Sequence, residues 1–355
     1  MVSPRELYPK ATSILENILG SENYKVLEPY LHTYDGTENS VKPLAKHITI
    51  YWIGRSTDRM ILRTEGEDDI ILSQIGKEAV PTIIFRKLKA VYLREFMKLL
   101  RNQWHKYSAD IRNILGPDYD FISKCSLSPG IAGEGKGVMH GRCMKCPADV
   151  LMGATSAGEL YNLVSRFVGD SAYALTPSFE RRTGNAVDEV TYTTIMLRGR
   201  ISEEEARTGG LFSETLVEPN TLFIGKFVLS MPAPPELLYM LWLFHRTIRV
   251  GARTSIWGTL EVYPIIVIGD VYEVGTSFTA AERALGLKDL NKAKEKLLEY
   301  IEKEVKYATS SKPIIITKDI ANKLKNMDSF NKDLVVELWN NAKNYIDGVK
   351  KYIGV

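Results

Sequence analysis

Cysteine and histidine are scarce in this chain: three of the first and five of the second among 355 residues. So few thiols, and an odd number of them, leave no basis for a disulfide framework and agree with a reducing compartment. Long apolar runs are missing too. The longest, PPELLYMLWLF from Pro234 to Phe244, falls well short of the ~20 residues that a bilayer-spanning helix needs. No apolar stretch of the signal-peptide kind opens the sequence, so the expectation is a soluble cytoplasmic protein without a membrane partner. Neither an internal repeat nor a Pro/Ser-rich linker divides it, and one core with large insertions fits as well as two domains. Glutamine is sparse while Lys, Glu, Ile and Tyr are common, a balance that points to a thermophilic source. An excess of either charge is absent as well: the net charge is +3, so any nucleic-acid surface has to be local.

What is present begins with enough apolar material for a large core, 45% hydrophobic against 25% charged residues. Basic residues cluster at Arg86, Lys87, Lys89 and Arg94, at Arg181 and Arg182, at Arg198, Arg200 and Arg207, and at Arg246, Arg249 and Arg253. Acidic residues concentrate elsewhere, in EGEDD from Glu65 and in the carboxy-terminal part.

All three cysteines fall within one short stretch, and a histidine falls among them. Cys125, His140, Cys143 and Cys146 make a four-ligand set of the kind that closes a tetrahedron around structural zinc. The C-x-x-C step lets two thiolates grip one ion, and the loop back to Cys125 carries Gly130, Gly133, Gly135 and Gly137, which permit a tightly turning path. A redox pair is the plainer alternative. A zinc deaminase would need an H-x-E partner, whereas His140 is followed by Gly141 and Arg142.

Periodicity supplies the elements. The stretch through Tyr34 reads as short helices, and His47 to Gly54 as a strand. A polar, acidic stretch follows. A strong helix then spans about Ile84 to Tyr107, with Leu88, Val91, Tyr92, Phe96, Leu99 and Leu100 as its buried stripe. Asp188 to Arg200 and Asn220 to Ser230 read as strands, with a projecting turn or hairpin at EEEARTGGLF between them. Pro234 and Pro235 open a second helix, Thr259 to Val274 forms a last strand, and amphipathic helices follow from Ala280. Strand, helix, two strands, helix, strand is the order of the ferredoxin-like fold used by RNA-recognition domains.

Several segments taken together resemble a known family. PTIIFRKLKAVYLREFMKLLR from Pro81, SFERRTGNAV from Ser178, GGLFSETLVEPNTLF from Gly209, RTIRVGARTSIWG from Arg246 and CMKCPADVLMG from Cys143 are similar, in order, to motifs of the backbone subunits of CRISPR effector complexes, within the RAMP superfamily, and above all to their type I-D form. The likeness runs from about Ile48 to Val274. Phe85-Arg86-Lys87 replaces the family's G-S-S turn, and Glu180 stands where the family has Asp.

The resemblance implies an α+β fold: a modified RRM (ferredoxin-like) core over 46–275, a helical segment over 1–45 and a helical region over 276–355. It also implies a lid loop at 55–82, a zinc-binding insertion at 108–152 and a thumb-like insertion at 176–220. The implied function is sequence-independent binding of single-stranded guide (cr)RNA by several copies along the RNA, beside other effector subunits and a target DNA. Arg86, Lys87, Lys89, Arg94, Arg181, Arg182, Arg246, Arg249 and Arg253 are the expected phosphate contacts, and Gly251 would let the backbone approach the strand. The competing readings are solvated side chains and a helix C-cap.

In the type III relatives an aspartate before the first helix cuts target RNA with a divalent metal. Counting back from Pro81 at the same spacing lands on Asp69, which would then work with magnesium. An acidic solvated turn explains Asp69 equally well, and the chain reads as a binding subunit first. A guide-processing endonuclease using His47 or His245 and a zinc-stabilised interaction module are the remaining alternatives.

Overall fold

The computed structural model describes residues 2–62, 70–125, 142–155, 162–178, 187–194, 210–246, 248–250, 258–308 and 312–354. Three short helices lead in: α1 (Pro4–Leu7), α2 (Pro9–Leu19) and α3 (Ser21–Leu27). Ser3 and Glu6 form a reciprocal capping box, and proline begins each of the first two helices, where a missing N–H costs nothing.

The core strands are β1 (His47–Ser56), β8 (Leu222–Ser230) and β10 (Thr259–Asp270), with β1 antiparallel between the other two. Between β1 and β8 in sequence come the hairpin β2 (Leu72–Ile75) and β3 (Glu78–Ile83), the long helix α4 (Phe85–Lys106), the short helices α5 (Ser108–Leu115), α6 (Tyr119–Ser123) and α7 (Pro147–Met152), and the strands β4 (Phe167–Gly169) and β5 (Ala172–Ala174). A separate two-stranded sheet pairs β6 (Val187–Thr194) with β7 (Gly210–Val217). After β8 follow α8 (Pro234–Phe244) and β9 (Ile248–Arg249); after β10 follow α9 (Ser277–Arg283), α10 (Leu290–Ala308), β11 (Ile314–Ile315), α11 (Lys318–Lys325) and α12 (Lys332–Ile353). The main sheet runs β11-β10-β1-β8-β5-β3-β2, with β4 also on β8 and β9 on β10.

The sheet is covered on both faces, which is why almost every residue of β1 and β8 is buried. One face carries Ile50, Trp52 and Phe227, and Trp52 stacks on Phe227 at 5.3 Å. Trp52 lies flat here because residue 225 is glycine: a Cβ there would meet the indole ring at 2.1 Å. Helices α4 and α8 lie on this face. All six residues of the α4 stripe named above are buried, and so is every residue of α8, as expected of a helix apolar all round. On the opposite face Tyr51 meets Tyr300 of α10 edge-on, and its hydroxyl donates to the Val274 carbonyl oxygen. No helix among the described residues is long and apolar enough to cross a membrane.

One buried polar network ties the ends of the chain to this core. Arg166 forks onto Glu236 in the first turn of α8, with contacts of 2.9 and 2.5 Å. Glu236 also accepts the Ala233 N–H at 2.9 Å and the Asn341 amide of α12 at 3.0 Å. Asn341 in turn accepts the Tyr8 hydroxyl at 2.6 Å, while Arg166 donates to the Tyr34 hydroxyl oxygen at 3.0 Å. Arg166 and Glu236 are 7% and 1% exposed, so each charge depends on the other in a medium that punishes an unpaired ion. Glu236→Ala should therefore cost about 3–5 kcal/mol, and Asn341→Ala, which removes a neutral donor to Glu236 and the acceptor of the Tyr8 hydroxyl, about 1–3 kcal/mol. The order of the two denaturant midpoints checks this.

Candidate metal centre and basic face

Cys125 follows α6, and Cys143 and Cys146 precede α7, so the helical insertion folds its two ends onto each other. Proline at the start of α7 fixes the turn out of the cysteine knuckle. The sulfurs of Cys125 and Cys146 are 3.8 Å apart. Oδ2 of Asp149, in the first turn of α7, lies 3.7 Å from the Cys125 sulfur and 3.5 Å from the Cys143 sulfur. These four side chains are all buried, and their ligand atoms lie within 4.8 Å of one another.

The donor set can be tested against zinc geometry. Two sulfurs each ~2.3 Å from one ion at tetrahedral angles stand about 3.8 Å apart, and a sulfur and a carboxylate oxygen about 3.5 Å. The Cys125–Cys146 separation and the two Asp149–sulfur separations lie within about 0.2 Å of those values. The knuckle also has the backbone that a thiolate wants: the Lys145 and Cys146 N–H groups donate to the Cys143 sulfur at 3.4 and 3.2 Å, and the Cys143 N–H to the Cys125 sulfur at 3.4 Å. Met144 pays for that path with a left-handed φ of +56°, a strain that persists only where the surroundings impose it. A buried Cys3Asp cluster that can hold a metal ion is therefore present.

Electrostatics asks for a cation. Burial pushes the Cys143 and Cys146 thiols and the Asp149 carboxyl up, while hydrogen bonds from the Cys143 and Cys146 thiols bring Cys125 down to about 3. One thiolate is thus stabilised by its neighbours' protons, and full ionisation of the set requires a positive centre. Arg142 supplies part of one by pairing with Oδ1 of Asp149 at 2.5 Å, and the Met144 N–H donates to Oδ2 at 2.7 Å.

Asp149 was not among the expected ligands. A search for Cys and His spacing passes over it, although a carboxylate three residues beyond Cys146, in the first turn of a helix, is the signal that was there to use. His140, the expected fourth ligand, lies outside the described residues, as do Asp69, Arg181, Arg182, Gly251 and Arg253.

Four of the remaining basic candidates, Arg86, Lys87, Lys89 and Arg246, lie toward one end of the helical layer. Tyr92 of α4 meets Phe244 of α8 at 5.0 Å, and Gln103 meets the Tyr239 hydroxyl at 3.0 Å. The two helices therefore run antiparallel, with the start of α4 beside the end of α8. Phe85 packs on Phe167 at 5.7 Å and on Phe227 at 6.1 Å, and Phe227 stacks on Phe244 at 4.9 Å. This aromatic cluster holds the opening turns of α4, carrying Arg86, Lys87 and Lys89, near Arg246 after α8. Arg86 and Arg246 are exposed, and Arg246 lies over the Trp242 ring at 4.5 Å. Arg94 is exposed further along α4, and Arg249 is exposed on β9.

The first turn of α4 has no acidic residue and no capping side chain. Cations at the positive end of a helix dipole oppose its usual preference, and together with the helix N–H groups they favour an anion. Lys89 is half-buried; desolvation, and then the nearby Arg142 charge, lower its pKa. The metal knot itself packs further along the helix, where the Arg101 guanidinium donates to the Cys125 carbonyl oxygen at 3.1 Å.

A sequence model of the Csc2 CRISPR family matches residues 30–348 of the chain. Among solved structures, the crystal structure of Thermofilum pendens Csc2 is similar with a TM-score of 0.65 at 20% identity, over 96% of this chain and 97% of that one. A chain of a CRISPR RNA-guided surveillance complex gives a TM-score of 0.47 at 12% identity, over 76% and 87% of the two chains. A chain of the type III-B Cmr-beta complex bound to cognate target RNA gives 0.35 at 14%, over 62% and 61%. No curated protein sequence matches the chain. The family match covers nearly the whole chain, and the Csc2 crystal structure shares its fold from end to end, so the chain belongs to the Csc2 CRISPR family.

Proposed function

We propose that this chain is the guide-RNA-binding backbone subunit of a type I-D-like CRISPR interference complex. Several copies would coat one single-stranded crRNA without reading its bases, beside other effector subunits, and present it to a target DNA. The observation that carries the proposal is the convergence of Arg86, Lys87, Lys89 and Arg246 at one end of the α4/α8 layer, over a helix start that lacks any acidic group. Membership of the Csc2 CRISPR family makes a guide RNA the polyanion in question.

The strand order β10-β1-β8-β5, with α4 and α8 as the two crossovers, supports an RRM-like core over 46–275. The β6–β7 hairpin is the base of the thumb-like insertion within 176–220, and the segment at 55–82 is the lid, its second half folded as the β2–β3 hairpin. The insertion at 108–152 is a zinc knot. Three thiolates with one further donor fit zinc best, and a closed set of protein ligands makes the ion structural. Its role is to pin the insertion against the second half of α4, where Arg101 donates to the Cys125 carbonyl oxygen.

Replacing Arg86 and Lys89 together by alanine should weaken binding of single-stranded RNA about tenfold or more at moderate salt and lower the slope of log K against log salt by about 1.4. Fluorescence anisotropy across a salt series measures both, and an unchanged slope would remove these residues from the interface. For the metal, the purified chain should carry one zinc. Asp149→Asn should lower zinc affinity about 10- to 100-fold, read by competition with a chromophoric chelator. His140→Ala, assayed in parallel, tests the ligand named from the sequence.

A further inference from the structure

Trp242 and Arg246 meet at the end of α8, where the Arg246 guanidinium lies over the Trp242 ring, 4.5 Å from its centre. The Arg246 N–H donates to the Leu243 carbonyl oxygen at 3.1 Å, so the last turn of the helix is prolonged and the two residues keep the i, i+4 spacing of neighbours on one face. Trp242 is 7% exposed, whereas Arg246 is exposed. The guanidinium therefore has one side turned to the indole and the other to solvent. No carboxylate among the described residues pairs with it. A cation held in this way has given up much of its side-chain freedom before any ligand arrives.

The polarity of the two adjoining helix ends decides what each can take. The end of α8 carries the partial negative charge of its last carbonyl groups, which favours the Arg246 cation and disfavours a phosphate close by. The start of α4, alongside it, has the opposite polarity and carries Arg86, Lys87 and Lys89 with no acidic residue. A phosphate belongs there. The outer side of Arg246 suits a flat, neutral group instead, because stacking on a guanidinium requires no negative charge. A nucleotide of a single strand supplies both parts, an anionic phosphate and a flat base joined to it.

We propose that Arg246 is a stacking platform for one base of the bound strand, positioned by Trp242, while the start of α4 takes the phosphates. This rests on the RNA-binding reading above and deepens it. A base contact of this kind is tolerant of sequence, since every base has a π-face.

The test measures binding of the full chain to a uridine oligoribonucleotide and to an abasic ribose–phosphate oligomer of the same length, which keeps the charges and lacks the bases. The unaltered chain should prefer the uridine strand by about tenfold. Arg246→Lys, a change at an exposed position, keeps the charge and removes the plane. The preference should then fall to about twofold, while the slope of log K against log salt, which counts charges, stays as it was. Trp242→Leu, in protein shown to be folded by its unfolding midpoint, should lose the preference to a similar extent although Arg246 is intact, and Trp242→Phe should restore part of it. Equal binding of the two strands by the unaltered chain, or a full preference surviving in Arg246→Lys, overturns the platform and leaves the RNA-binding reading in place. Failure of the unaltered chain to bind either strand overturns both.

Discussion

The packing of Phe85, Tyr92, Phe167 and Phe244 around Phe227 is the contact on which the remaining architecture depends. Phe227 stands on the central face of the sheet and Phe167 on the short strand beside it, while Phe85 begins α4 and Phe244 ends α8. Ring pairs of this kind are favoured at specific distances and tilts, so they fix angle as well as proximity. The position of two helix ends over the sheet follows, and with it the position of every cation those ends carry. The basic face is thus set by apolar packing beneath it. Charges at a surface could not hold that arrangement themselves, because exposed ion pairs contribute little.

Two further devices stiffen the frame where aromatic packing does not reach. The Arg166–Glu236 fork secures the far end of α8 and gathers Tyr8, Tyr34 and Asn341 from segments remote in sequence. At the other side, the thiolate and carboxylate cluster closes an insertion made of short helices. Helices of five to eight residues have little stability of their own. A metal at that point would substitute for the apolar area that such pieces cannot bury.

Long periodic elements were legible from residues alone. The α4 stripe, the proline-led start of α8, and strands β1, β8 and β10 each offer enough residues for a period to be recognised. Strands β4 and β5 offer three residues apiece and are held extended by β8 and, for β5, also by β3, and no window along the chain carries that information. The β2–β3 hairpin hid behind an acidic stretch and Pro81, which pairs with Leu72 on one side and has no β5 partner on the other, a position where proline is tolerated. At the metal knot the cysteines were legible because thiols are rare here. Asp149 was not, because one carboxylate among 43 acidic residues announces nothing until its burial is known.

Helix α12 bears on how the protein is made. It spans Lys332–Ile353 and packs on α2, α5, α7 and α8, so elements far upstream have their apolar sides covered only after this helix has been translated. A ribosome-bound chain would hold a nearly finished sheet with one flank still wet, a state prone to self-association. Completion of the core should accordingly wait on α12, which acts as the latch.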